Sequence, residues 1–376
     1  MMTKVLSGAG LRGQSAGQTA LCSVGKAAAG LTYRGYDIDV LADKASFEEV
    51  AYLLLYGDLP TRQQLTQYEA KLLSLRPLPE TLKQALELIP KDAHPMDVMR
   101  TGCSVLGNLE PESPLNDQQD VADRLVATLP AMVLYWYRFS HDGVRVDTTN
   151  TGVASLAGHF LTMLKDTAPS DLEVQVMNAS LILYAEHEFN ASTFTARVCA
   201  STLSDMHSCI TGGIGSLRGH LHGGANEAAM DMIEPWQTAD QAEAGLMTKL
   251  LNKETIMGFG HAIYRERDPR NDVIKQWAKK LSDEVGDTYL YAVSERCEDV
   301  MWREKKLFCN ADFFHASAYR FMGIPTKLFT PIFVCARVTG WAAHVMEQRA
   351  NNRIIRPSAD YIGPDHTGWI DIDQRS

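Results

Sequence analysis

From Ser46 onward the chain reads as helix after helix, and this restricts the fold more than any other property of the sequence. Ser46 with Glu49 is a capping box that opens the apolar 3.6-residue pattern of FEEVAYLLLY. Thr61 with Gln64 repeats the device behind Pro60, and Pro79 and Pro95 punctuate the next two segments. Helical signals continue over residues 117–139, 152–164 and 170–184, then over 238–253, 272–281 and 285–308. At least ten helices are predicted. β-prone sequence is confined to residues 19–36, where two short runs flank a Gly/Ala-rich link and predict a small hairpin. The fold class is therefore mainly α, with a small N-terminal β-hairpin.

At 376 residues the chain has room for two or three domains. The helical faces over residues 238–308 are richer in Lys, Glu and Arg than the first half, which marks a smaller and more exposed unit. Residues 223–326 form that unit, and residues 1–222 with 327–376 form a larger helical domain. Residues 329–348 return to an apolar helical pattern with Arg337 in its middle, a charge that is costly to bury without a partner. The proline-punctuated tail after residue 353 reads as an extended arm lying on a surface.

A formal net charge of −10 argues against a nucleic-acid surface and leaves a small-molecule partner. Seven cysteines, an odd number with no CxxC pair, suit neither a disulfide framework nor a zinc site. The first eighteen residues contain no apolar run long enough for a signal-peptide core, and residues 125–137, interrupted by Pro130, are too short to span a bilayer. A cytoplasmic protein without a membrane partner is expected.

Three stretches carry the chemistry. HSCITGGIGSLRGHLHGGANE, residues 207–227, places His222 among glycines that let a ligand come close to the backbone. GFGHAIYRERDPR, residues 258–270, offers His261 and Arg270, and NADFF, residues 310–314, offers Asp312. Two histidines, a carboxylate and an arginine are the set needed to take a proton from carbon and stabilise the resulting enolate. Simpler readings compete. Gly258 suits a helix C-cap and Asp312 a helix N-cap, where the helix terminus would weaken it as a base. His220 and His222 alone do not close a metal site. GGIGSLRG has the wrong spacing for a dinucleotide fingerprint, and GQSAG, residues 13–17, matches the serine-hydrolase elbow without a strand before it.

Taken together, LHGGAN, GFGHAIY, NAD and IIRPSA, with AEHEFNAS before them and an arginine-bearing apolar helix, resemble the citrate synthase family over nearly the whole chain. The segments YRGYDI, VMWREKKLF and FTPIFVCARVTGWAAHVMEQR are most similar to its methylcitrate-forming branch. The resemblance implies a two-domain helical fold and condensation of propionyl-CoA with oxaloacetate, acetyl-CoA being the alternative acyl donor. Asp312 would take the α-proton, His222 would hydrogen-bond the thioester oxygen, and His261 would polarise the ketone. His187, Arg270, Arg337 and Arg356 would hold oxaloacetate, with Arg356 supplied across a homodimer interface. The main chain of Thr255, Ile256, Met257, Gly258 and Phe259 would hold the CoA adenine, with Lys305, Lys306 and Asn310 as further CoA contacts. It implies no metal and no permanently bound cofactor, the acyl-CoA being a co-substrate. Residues 223–326 would be a mobile domain, with Gly223 and Gly224 at its hinge. Three residues depart from the family pattern: His220 and Cys309 replace prolines, and Ala311 replaces a larger apolar residue, which would widen the acyl pocket.

Overall fold

The structure is a computed structural model that describes residues 11, 14–25, 30–165 and 167–375. Three short strands, β1 (Cys22–Val24), β2 (Leu31–Tyr33) and β3 (Tyr36–Asp37), form an antiparallel sheet in chain order. Cys22 stands opposite Tyr33 and Thr32 opposite Asp37. The expected hairpin is β1–β2, extended by one strand; residues 26–29 of its link lie outside the described residues.

Sixteen α-helices follow among the described residues. The first third is a run of short ones: α1 (Ile38–Lys44), α2 (Phe47–Tyr56), α3 (Arg62–Ser74), α4 (Glu80–Glu87) and α5 (Pro95–Leu109). Then come α6 (Gln118–Asp142), α7 (Leu156–Lys165), α8 (Asp171–Tyr184), α9 (Ala191–Ser201) and α10 (Met206–Leu217). The rest are α11 (Ala225–Ile233), α12 (Ala239–Leu251), α13 (Pro269–Glu284), α14 (Leu290–Lys305), α15 (Ala311–Phe321) and α16 (Phe329–Ala350).

The capping boxes at Ser46 and Thr61 both form, and Ser170 with Glu173 adds a third at α8. The helices expected over residues 272–281 and 285–308 form as α13 and α14, the second starting later, at Leu290, and ending at Lys305. α13 ends at Glu284 because Gly286 takes a left-handed φ of 67°, and Asp287 then caps the start of α14 by accepting from the Leu290 and Tyr291 amides.

α16 organises the core. It is long and apolar enough to cross a membrane by composition, yet residues 329–345 are buried throughout, packed by α9, α6, α8 and α10. α10 occupies the first half of the glycine-rich stretch, which revises the reason for its glycines. A Cβ on Gly213 would lie 3.1 Å from the Trp341 ring, so this glycine admits α16 and not a ligand. α11, α12, α13, α14 and α15 pack on one another, and α13 also meets α8 and α1.

Candidate active site

One cavity of about 1090 Å³ is lined by His187, His222, Arg270, Asp312 and Arg337, together with all of residues 255–263. Three stretches far apart in sequence thus converge on one space. Their convergence has a local cause. Gly260 N–H donates to the Phe308 carbonyl (2.8 Å), Asn310 N–H to the Gly258 carbonyl (2.9 Å) and Asn310 Nδ2 to the Gly260 carbonyl (3.0 Å). These bonds clip the His261 loop to the start of α15. They also hold Cys309 in place without the ring that proline would contribute. Gly258 is required there: its φ is 86° and a Cβ would sit 2.9 Å from Phe313. It ends no helix, so the C-cap reading is withdrawn; α12 has already stopped at Leu251.

Asp312 does not cap α15 either. Asn310 does, its Oδ1 accepting from the Asp312 N–H at 3.0 Å. The Asp312 carboxylate, left to line the cavity, accepts from the Tyr184 hydroxyl at 2.7 Å. Burial pushes its pKa up to about 6, against the Tyr184 hydrogen bond and the charges of Arg270 and Arg337, which pull it down. Burial outweighs these interactions, and the group is a better base near neutrality than an exposed aspartate.

The two histidines present opposite tautomers. His222 Nε2 lies 2.8 Å from Ser192 Oγ and 3.3 Å from the Ser192 main-chain N–H. That amide only donates, so Nε2 accepts and Nδ1 carries the proton. Burial, with Arg337 nearby, lowers the His222 pKa to about 3, and the ring is neutral. In His261, Nδ1 accepts from the Ile263 and Tyr264 amides at 3.1 and 3.3 Å, which leaves the proton on Nε2. His222 is thus fixed as a neutral donor through Nδ1, and His261 presents its Nε2–H.

The two arginines differ. Arg270 is held bidentately by Asp268, with Nε to Oδ1 at 3.0 Å and Nη2 to Oδ2 at 2.7 Å. Burial works against both charges, but their mutual attraction outweighs it: the Arg270 pKa rises and the Asp268 pKa falls. Arg337 donates from Nε to the Tyr184 carbonyl (2.7 Å) and lies over the Phe333 ring (4.7 Å), but Nη1 and Nη2 are buried without a partner among the described residues. Burial lowers its pKa. His187 Nε2 meets the Tyr264 hydroxyl at 3.1 Å, and its ring lies 5.1 Å from that of His261. Burial, then Arg270, keeps it neutral.

Other expected residues sit elsewhere. Asn310 lines the cavity, whereas Lys305 and Lys306 are exposed outside it. Arg356 lies on the exposed tail. Ala311 is buried, is not part of the cavity wall, and donates its N–H to Asp268, so its small side chain does not widen this cavity. His220 is exposed. Gly223 and Gly224 are not left-handed; a Cβ on Gly223 would meet Leu217 at 2.6 Å, so the turn is tight at the expected hinge.

Several residues were not anticipated. Tyr184, Ser192, Tyr264 and Asp268 each hold a site group, and Arg265, Phe333 and residues 14–17 line the cavity. Gln14 to Gly17 come from the GQSAG stretch, but Ser15 Oγ donates to the Gly17 carbonyl (3.2 Å) and not to a histidine. Asp268 was partly legible, since Asp-Pro is a helix-start signal. Its grip on Arg270 was not.

A helical fold around this site defines a member of the citrate synthase family, and the chain belongs to it: the family model described as citrate synthase, C-terminal domain, matches residues 10–358. Within the family, the chain is 68% identical over 360 residues to the 2-methylcitrate synthase of Shewanella oneidensis, covering 96% of each. It is 41% identical to the citrate/2-methylcitrate synthase of Bacillus subtilis, over 94% of this chain and 96% of that one. The structure of Thermoplasma acidophilum citrate synthase in ternary complex with carboxymethyl coenzyme A and oxaloacetate superposes with a TM-score of 0.88 at 31% identity, covering 97% and 98% of the two chains.

Proposed function

We propose that this chain is an acyl-CoA:oxaloacetate acyltransferase that condenses propionyl-CoA with oxaloacetate and water, giving 2-methylcitrate and CoA. The observation that carries the reading is the convergence of a base of raised pKa, two imidazole N–H donors and an arginine without an ion-pair partner among the described residues on one cavity. The 68% identity to a 2-methylcitrate synthase supports propionyl-CoA as the donor.

In this reading Asp312 removes the proton α to the thioester carbonyl. That carbon acid is far weaker than a group titrating near 6, so stabilisation of the forming enol must supply much of the difference, about 3 to 4 kcal/mol per aimed donor. His222 Nδ1–H is that donor. The enol carbon then attacks the ketone carbon of oxaloacetate while His261 Nε2–H hydrogen-bonds its oxygen and protonates the alkoxide. Water finally cleaves the thioester, releasing CoA. Arg270 and Arg337 pair with the carboxylates of oxaloacetate, and His187 adds a neutral donor. The residue 255–259 main chain and Asn310 receive the CoA portion. Residues 223–326 close over the ketodiacid, which excludes water until condensation is complete.

We also propose a homodimer in which Arg356 reaches the partner's site. Support comes from the tail, whose Ile362 is 98% and Trp369 83% exposed in the single chain, apolar surface that a second copy would cover. Mixing inactive Asp312→Asn and Arg356→Ala proteins should restore activity in mixed dimers. A cytoplasmic location goes with the odd, unpatterned cysteines.

The deciding experiment measures CoA release from propionyl-CoA and acetyl-CoA with oxaloacetate. No release from either would refute the condensation. A kcat/KM that favours acetyl-CoA would move the assignment to citrate formation, the second activity named for the Bacillus subtilis relative.

A further inference from the structure

Four hydrogen bonds end on a side chain that the reaction itself does not use. Asp268 Oδ1 accepts from the Arg270 main-chain N–H (3.1 Å) and from Nε (3.0 Å). Its Oδ2 accepts from Arg270 Nη2 (2.7 Å) and from the Ala311 N–H (3.0 Å). Asp268 is the N-cap of α13, and Ala311 is the first residue of α15, immediately before Asp312. The carboxylate is buried, only 1% of the residue being exposed. One rigid group therefore fixes the fork of Arg270 and the first peptide of the helix that bears the base.

We infer that Asp268 is a positioning residue that couples recognition of the ketodiacid at Arg270 to the alignment of Asp312. The inference rests on the proposed condensation for the roles of Arg270 and Asp312. A carboxylate shared between a guanidinium and a helix N-terminus transmits any displacement of one to the other, because both bonds to Oδ2 have to be kept in line.

The charge has a second effect. Asp312 is faced by Tyr184 from α8, Arg270 and Asp268 from the start of α13, and Arg337 from α16; His222 and His261 line the same cavity, and His315 stands one turn along α15. Of the charged groups, Arg270 and Arg337 favour the ionised base, and Asp268 opposes it. Asp268 thus keeps Asp312 basic in a site that would otherwise be dominated by two cations.

The test is Asp268→Asn, read in two ways. The titration of Asp312, followed by carboxyl NMR of ¹³C-labelled protein, needs no turnover. It should move below its position near 6 in the parent protein. In kinetics, KM for oxaloacetate should rise and kcat should fall about a hundredfold, the scale expected when a reacting group is displaced by about 1 Å. A folded variant whose Asp312 titration and kinetics both match the parent, with only thermal stability lowered, would overturn the inference. Should Asp268→Asn not fold, Asp268→Glu retains the charge but displaces it. Asp312 should then titrate as in the parent while kcat falls, and parent-like kinetics in that variant would equally overturn the coupling. Absence of CoA release by the parent protein would refute the condensation alone, because the NMR titration still judges the link between Asp268 and Asp312.

Discussion

Arg337 and Arg270 line the same cavity and are buried to nearly the same degree, 1% and 5% exposed, yet among the described residues one has no ion-pair partner and the other has a bidentate one. Arg337 sits in mid-helix within the apolar core, where among the described residues no acid side chain hydrogen-bonds its two outer nitrogens and Glu186 acts on it only at longer range. Arg270 stands at a helix start beside its own capping aspartate. In the proposed reaction the difference would divide the labour of binding a dianion. An arginine neutralised in advance contributes direction, whereas an unanswered one contributes attraction at the cost of holding a charge in a poor solvent. The neutral histidines around them add donors without adding charge.

The comparison predicts opposite responses to mutation. Asp268→Asn leaves Arg270 buried without its anion, and chemical denaturation should show a loss of about 3 to 5 kcal/mol. Arg337→Met removes a buried charge that has no ion-pair partner among the described residues and is opposed only at longer range by Glu186, so the melting temperature of the ligand-free protein should stay the same or rise. Its oxaloacetate affinity should nevertheless fall by about 2 to 5 kcal/mol, measured as KM or by calorimetry. If Arg337→Met melted several degrees lower than the parent, the contrast between the two corners would collapse.

The pH dependence of kcat sharpens the same picture on a smaller scale. Asp312 has a raised pKa and must be ionised to act, so activity should be lost as pH falls through about 6, by about tenfold per pH unit below it. His222 is already neutral over that range and should add no second acidic limb. Smallest of all, Lys305→Ala and Lys306→Ala remove exposed charges outside the cavity. Each should change the KM for acyl-CoA by no more than about 1 kcal/mol; a larger loss would mean that the CoA portion extends over that surface.

The local signals in the sequence carried much of the fold, because capping boxes and 3.6-residue periodicity act over a few residues. Ser46 and Thr61 behaved as expected for that reason. The boundary between α13 and α14 was read a few residues early, because Gly286 with its left-handed φ and the Asp287 cap place it at residues 285–289, a conformational choice the apolar pattern does not encode. At the site, His222, His261 and Asp312 were legible through motif chemistry. Their supports were not, since Tyr184 to Asp312 and Ser192 to His222 are contacts between residues 128 and 30 positions apart. Asn310, read as a CoA contact, is the cap of α15, the work the sequence had offered to Asp312 two residues further on.

The clip between the His261 loop and α15 has a mechanical corollary. His261, Arg270 and Asp312 are tied to one another by main-chain bonds and by Asp268, whereas Tyr184, His187 and Arg337 belong to the opposite wall. Two phenols reach between these walls, Tyr184 to Asp312 and Tyr264 to His187. In the domain closure proposed above, each hydroxyl would act as a latch that releases and re-forms without moving a charge, so that the walls would part while the proton-handling groups stay in register on one side.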